Sequence, residues 1–259
     1  MRTRRSRLAD LVVGAVAMAA LVAGGVIIGL QRARYTRYLY VSELGAQGSP
    51  TADHFRWGFV CVVVGIALVS WILRDVRSEG FLLSLCRPAL TLAAAAGCFL
   101  VASQVTCSKG CPLAFTPAAA PNDAVHIIAA VAGFAAGALA MLQFATAPER
   151  RTRRISVVSG LLVAVIAGTG GLLSLADTHT DLGSTLEYVA TGIGLGWLVT
   201  ITAAHLWQGQ RASPVAHAHN AAVPLKPPPS DPAWTGGSTA GLRRQEPWTA
   251  APSTAEFES

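Results

Sequence analysis

Charge is what this chain has least of. Asp, Glu, Lys and Arg make up 13% of its 259 residues, against 52% hydrophobic ones. A water-soluble domain carries about 25% charged residues, so too little polar surface exists to coat a soluble globule of this size. The mean hydropathy of +0.47 points the same way. No H-E-x-x-H, G-x-S-x-G or phosphate-binding glycine loop occurs in the sequence, which leaves the zinc-protease, serine-hydrolase and P-loop chemistries without their motifs. Nothing resembles a nucleic-acid reading motif. The Arg residues sit between apolar runs rather than on one basic face, so the net charge of +6 does not indicate a nucleic-acid partner.

What is there is a series of apolar blocks, at about 8–30, 56–73, 89–106, 125–146, 155–176 and 186–207. Most are roughly 18–22 residues long, the length that carries a helix across a ~30 Å hydrocarbon layer. The first block follows a basic start but exceeds the ~7–15 apolar residues of a secretory signal and lacks a clear A-x-A site, so it reads as a retained span. The expected fold is all-α: a polytopic membrane protein, a six-transmembrane-helix bundle over 1–208. Residues 209–259 hold eight of the 14 Pro and no long apolar run, and are expected to form a disordered cytoplasmic tail. With the amino end inside, 15 of the 20 basic residues fall on inner segments, including Arg150, Arg151, Arg153 and Arg154, and five on outer ones. The positive-inside rule then predicts cytoplasmic N- and C-termini. Gly25/Gly29, Gly133/Gly137 and the Gly192, Gly194, Gly196 series carry the small-residue spacing of helix contacts in lipid.

The predicted span centres contain no Asp, Glu, Lys or Arg, whereas proton- or ion-coupled carriers usually keep an ionisable group at mid-depth. Ionisable residues gather instead at the predicted outer ends: Glu43, Asp53, His54, Asp123, His126, Asp177, His179, Asp181 and Glu187. If the helix ends converge, this candidate extracytoplasmic polar cluster has the chemistry for a divalent ion or for acid–base work. The plainer reading keeps them as loop residues and caps. Asp123 would cap the fourth helix, and Ser184 with Glu187 fits an S-x-x-E capping box for the sixth. No metal site or cofactor is assigned. Cys107 and Cys111, in a predicted outer loop, are expected to form a local disulfide in an oxidising space. Cys61, Cys86 and Cys98 read as small apolar packers.

The segment Tyr40-Val-Ser-Glu-Leu-Gly-Ala-Gln-Gly-Ser-Pro50, the Cys107–Pro112 loop and His126 at the head of the fourth span resemble the pattern of a bacterial six-span family catalogued as domain of unknown function 998. The resemblance covers about 1–208. It implies a fold and a location, the bacterial plasma membrane, and little about a reaction. More distantly the chain resembles the Frag1/DRAM/Sfk1 group, through the motif after the first span and Gly183 with Glu187; that group is linked with lipid homeostasis and stress responses. The family often has an amide-like residue where this chain has His54, so the Asp53–His54 pair is particular to this chain. The leading expectation is a non-catalytic integral membrane protein with membrane lipids as partners, acting in lipid or envelope homeostasis. The alternatives are a membrane-embedded metal-dependent hydrolase using the outer cluster, and a small-solute or lipid transporter. Nothing in the sequence sets an oligomeric state.

Overall fold

A computed structural model of the chain describes residues 4–79, 83–112, 116–176 and 179–221, with side chains described within 7–210. Among the described residues there are no strands. The long helices are α1 (Arg4–Arg32), α2 (Ala52–Ile72), α3 (Pro88–Gln104), α4 (Pro121–Gln143), α5 (Arg150–Leu175) and α6 (Thr180–Ala221). Short 3-10 turns stand at Ser42–Gly45 and Phe144–Thr146. Five of the helices are long and apolar enough to cross a membrane; α3, at 17 residues, is shorter. At 1.5 Å per residue α3 spans about 25 Å. In lipid an unpaired backbone group has no water to turn to, so runs this apolar must close their hydrogen bonds internally as helices.

The chain divides into two units, Met1–His217 and Ala218–Ser259. Helix α6 continues to Ala221, past the point where the sequence loses its apolar run. The rest of the expected disordered tail lies outside the described residues.

Helix ends follow local chemistry. Pro88 and Pro121 each stand at the first turn of their helices, where the missing N–H would have no partner anyway. Helix α5 opens on Arg150, Arg151, Arg153 and Arg154, which opposes the helix dipole.

Large apolar side chains face outward on α1 (Leu8, Val12, Val16, Val22, Val26, Leu30) and on α5 (Val158, Leu161, Val165, Leu172). A surface this apolar needs a lipid solvent. Trp57 and Trp71 are exposed towards the two ends of α2, the placement expected of interfacial aromatics. Inside, Phe55, Phe59, Phe99 and Phe134 form a ladder with ring centroids 5.4 to 5.9 Å apart. At the opposite end Phe144 packs edge-on to Trp197, whose Nε1–H donates to Ser156 Oγ at 2.9 Å. Asp10 and Arg74 pair at 3.2 Å and tie the start of α1 to the end of α2.

The close helix approaches only half follow the expected glycine pairs. A Cβ on Gly24 would sit 2.6 Å from the Gly58 carbonyl, and one on Gly65 2.6 Å from Leu21, so α1 and α2 meet along Gly24, Gly58 and Gly65. Gly25 faces Leu195 and Gly133 faces Phe99, but Gly29, Gly137, Gly192 and Gly196 face open space. Spacing along a helix marks a small-residue face without saying whether a helix or lipid covers it. Cys86 is exposed rather than packed.

Candidate functional site

The site begins with the Tyr40–Pro50 motif. Its backbone turns over at Ser42–Gly45, with the Glu43 amide donating to the Tyr40 carbonyl and the Leu44 amide to that of Val41. Leu44 is fully buried. The Thr51 hydroxyl donates to the Leu44 carbonyl at 2.9 Å, and Tyr35 Oη lies 3.2 Å from both Ser49 Oγ and Thr51 Oγ1. Gly45 is required by contact, since a Cβ there would meet the Phe55 ring at 2.6 Å. Gly48 has φ +77°, the left-handed region that glycine enters without strain.

Two other segments lock this turn in place. The Val41 amide donates to Glu187 Oε2 of α6 at 2.9 Å. Beside it, Gly183 leaves room for Tyr40, whose Oη would lie 2.6 Å from a Cβ at that position. From the other side the Gln47 amide donates to the Cys107 carbonyl at 3.0 Å. Cys107 and Cys111 are joined as a disulfide with Cα atoms 5.0 Å apart, within the span that such a bond bridges. Asp123 is fully buried. It accepts from the Ser108 amide at 2.6 Å and the Ala120 amide at 2.8 Å, fixing the disulfide loop to the head of α4.

Beneath the turn lies a cavity within the bundle. Its walls include Phe55, Phe59, Phe99, Phe134, Met141 and Trp197, and its polar lining is confined to Ser42, His126, Glu187 and Thr191. Its volume is about 100 Å³. A water takes up about 30 Å³ in the liquid, so this is room for roughly three, in a space that offers water almost no polar partner. Thr191 turns its hydroxyl back to the Glu187 carbonyl at 2.8 Å.

His126 stands at the polar end. Its Nδ1 is 2.8 Å from the carbonyl oxygens of both Ala102 and Val105, at the end of α3. Its Nε2 is buried and has no partner among the described residues. Glu43 points elsewhere, with an oxygen 3.9 Å from Arg37 Nη1. Burial pushes the Glu43 carboxyl up, while the Arg37 guanidinium pulls it down more weakly.

The outer cluster expected from the sequence thus separates. Glu187 reaches the turn through the Val41 amide while Glu43 faces Arg37, Asp123 and His126 share the head of α4, and His126 and Glu187 both line the cavity. Asp53, His54, His179 and Asp181 are exposed. Asp177 lies outside the described residues. Among the described residues no three His, Cys, Asp or Glu side chains gather to hold a metal ion. The capping box expected of Ser184 and Glu187 does not form: α6 already begins at Thr180, Ser184 donates to the Asp181 carbonyl, and Glu187 is drawn to Val41. Asp123 does serve as the reciprocal half of a cap on α4. The cavity left no trace in the sequence, because the Phe residues that wall it read as ordinary core.

These features define an all-helical membrane protein with an apolar chamber roofed by an extramembrane turn. The chain belongs to the DUF998 family, described as proteins of unknown function, whose pattern matches residues 12–204 and so takes in the roof, the chamber and most of all six helices. Neither a curated protein nor a solved structure matches the chain.

Proposed function

We propose that the bundle binds an amphipathic, lipid-like molecule, with its tail in the chamber and its polar end beneath the Ser42–Gly45 turn. In this reading the protein is a non-catalytic lipid-handling component of a bacterial plasma membrane, crossing it six times with both termini cytoplasmic. The observation that carries the reading is the chamber itself: aromatic and aliphatic walls, with polar groups confined to a few positions such as His126 and Glu187. Ligand sites are typically apolar clefts with a few placed polar groups. Water gains little by filling such a space, whereas an alkyl chain exchanges one apolar surrounding for another and gains close packing that offsets its lost freedom.

Gly137 supplies the test. It lines the chamber, and a Cβ there meets nothing within 4 Å. Gly137→Leu fills the space and, as a better helix former, favours α4 by roughly 1 kcal/mol. In proteoliposomes, a photoreactive alkyl probe is expected to label Phe59, Phe99 or Phe134 in the parent protein and to lose that labelling in Gly137→Leu. Equal labelling of the two, or labelling confined to the outward faces of α1 and α5, would sink the reading.

A further inference from the structure

We propose that His126 is the headgroup anchor of the chamber and that it selects amphiphiles whose polar end donates a hydrogen bond, a primary hydroxyl above all. This rests on the lipid-binding reading above and adds the chemistry that the ligand must carry.

The tautomer follows from geometry. Carbonyl oxygens only accept hydrogen bonds. Nδ1 lies 2.8 Å from two of them, Ala102 O and Val105 O, so Nδ1 carries the hydrogen and shares it between the two. In the neutral ring Nε2 then holds a lone pair and accepts. The side chain is buried, at 7% exposure, and lines the chamber, and Nε2 has no partner among the described residues. Buried polar atoms are nearly always paired, and one left without a partner calls for an explanation. A ligand hydroxyl donating to Nε2 supplies it.

Two donors on the wall are already committed. Thr191 spends its hydroxyl hydrogen on the Glu187 carbonyl, and the Trp197 N–H is spent on Ser156. Glu187 Oε2 already accepts from the Val41 amide. Among the described residues no Lys or Arg lines the chamber. A fatty acid that enters ionised only accepts and would set its carboxylate against the His126 lone pair with no cation to offset it, whereas one that takes up a proton on burial donates as an alcohol does. An alcohol of the same chain length meets the site's need. An ether of that length fills the same apolar space but cannot donate.

The experiment is a competition in proteoliposomes. A photoreactive alkyl probe occupies the chamber, and a medium-chain primary alcohol, its methyl ether and the matching carboxylic acid displace it. One net hydrogen bond amounts to roughly a tenfold preference. In the unmodified protein the alcohol is expected to displace the probe at about one-tenth the concentration of the ether, and the acid should gain potency as pH falls and its carboxyl is protonated. In His126→Phe, which keeps the ring bulk and removes the acceptor, probe labelling should persist and the alcohol and ether should become equal. Equal alcohol and ether potency in the unmodified protein overturns the inference without touching chamber binding. So does an alcohol preference that survives in His126→Phe. The unmodified comparison decides the matter even if that variant fails to fold. If the probe never enters the chamber of the unmodified protein, the lipid-binding reading falls first and this inference goes with it.

Discussion

Two carboxylates at neighbouring places in the fold have opposite uses. Asp123 is wholly buried and spends both oxygens on backbone amides, Ser108 on one and Ala120 on the other. Asp123→Asn turns one acceptor into a donor that faces an N–H. It should cost about 1–3 kcal/mol of stability, measured as a lowered midpoint in thermal unfolding in detergent. Glu43 is held at the turn with its carboxyl pushed up by burial. A group raised in the folded state contributes stability that is complete below its unfolded value and is lost as pH rises through its folded one. Glu43→Gln should therefore unfold at a higher temperature than the parent above neutral pH, and the advantage should vanish in mild acid. An advantage that is the same at both would contradict the burial argument. Both residues were legible in the sequence as outer polar groups. Which one caps a helix and which one roofs a cavity was not, because the difference lies in backbone partners far along the chain.

At the scale of elements, the six apolar helices were plain from their lengths. Lipid removes every alternative for the backbone, so a long apolar run has one way to fold. Contacts between helices were less plain. In water a buried face is marked by apolar residues, but in lipid both the buried and the outward faces are apolar, and periodicity loses its meaning. Gly24, Gly58 and Gly65, which carry the α1–α2 approach, stood out no more than Gly29, which faces open space. Gly65→Leu is expected to disrupt that pair, because Leu21 and the Ala17 carbonyl already occupy the place. Gly29→Ala should be neutral or favourable by up to about 1 kcal/mol. Matched thermal unfolding of the two variants checks the contrast. The disulfide is an element-scale device as well. It closes a loop with a sequence separation of 4, and in the chain-entropy account a ring of about that size stabilises by about 2 kcal/mol. If Cys107 and Cys111 face an oxidising space, neither will react with an impermeant thiol reagent in intact cells until a reductant is added.

For the whole molecule, orientation is the property to measure. The four Arg at the start of α5 argue that this end of the bundle stays in the cytoplasm. A reporter fused after Arg154 is expected to read as cytoplasmic and one fused after Lys109 as external. The reverse result would move the Ser42–Gly45 turn, and the mouth of the chamber with it, to the inner face. The chamber could not have been found from the sequence. Its lining is shared among α2, α3, α4, α5 and α6 and includes residues of the turn. Its existence depends on side chains that fail to fill a space, and a void has no residue of its own to be read.

The bond between the Val41 amide and Glu187 joins positions 146 residues apart. During synthesis the motif at Tyr40 emerges long before α6 exists. Until the last helix enters the membrane, the roof lacks one of its supports and the interior stands unsealed on the flank that α6 will cover. A nascent chain that stalls before Glu187 would present the bilayer with an open trough in place of a finished vessel.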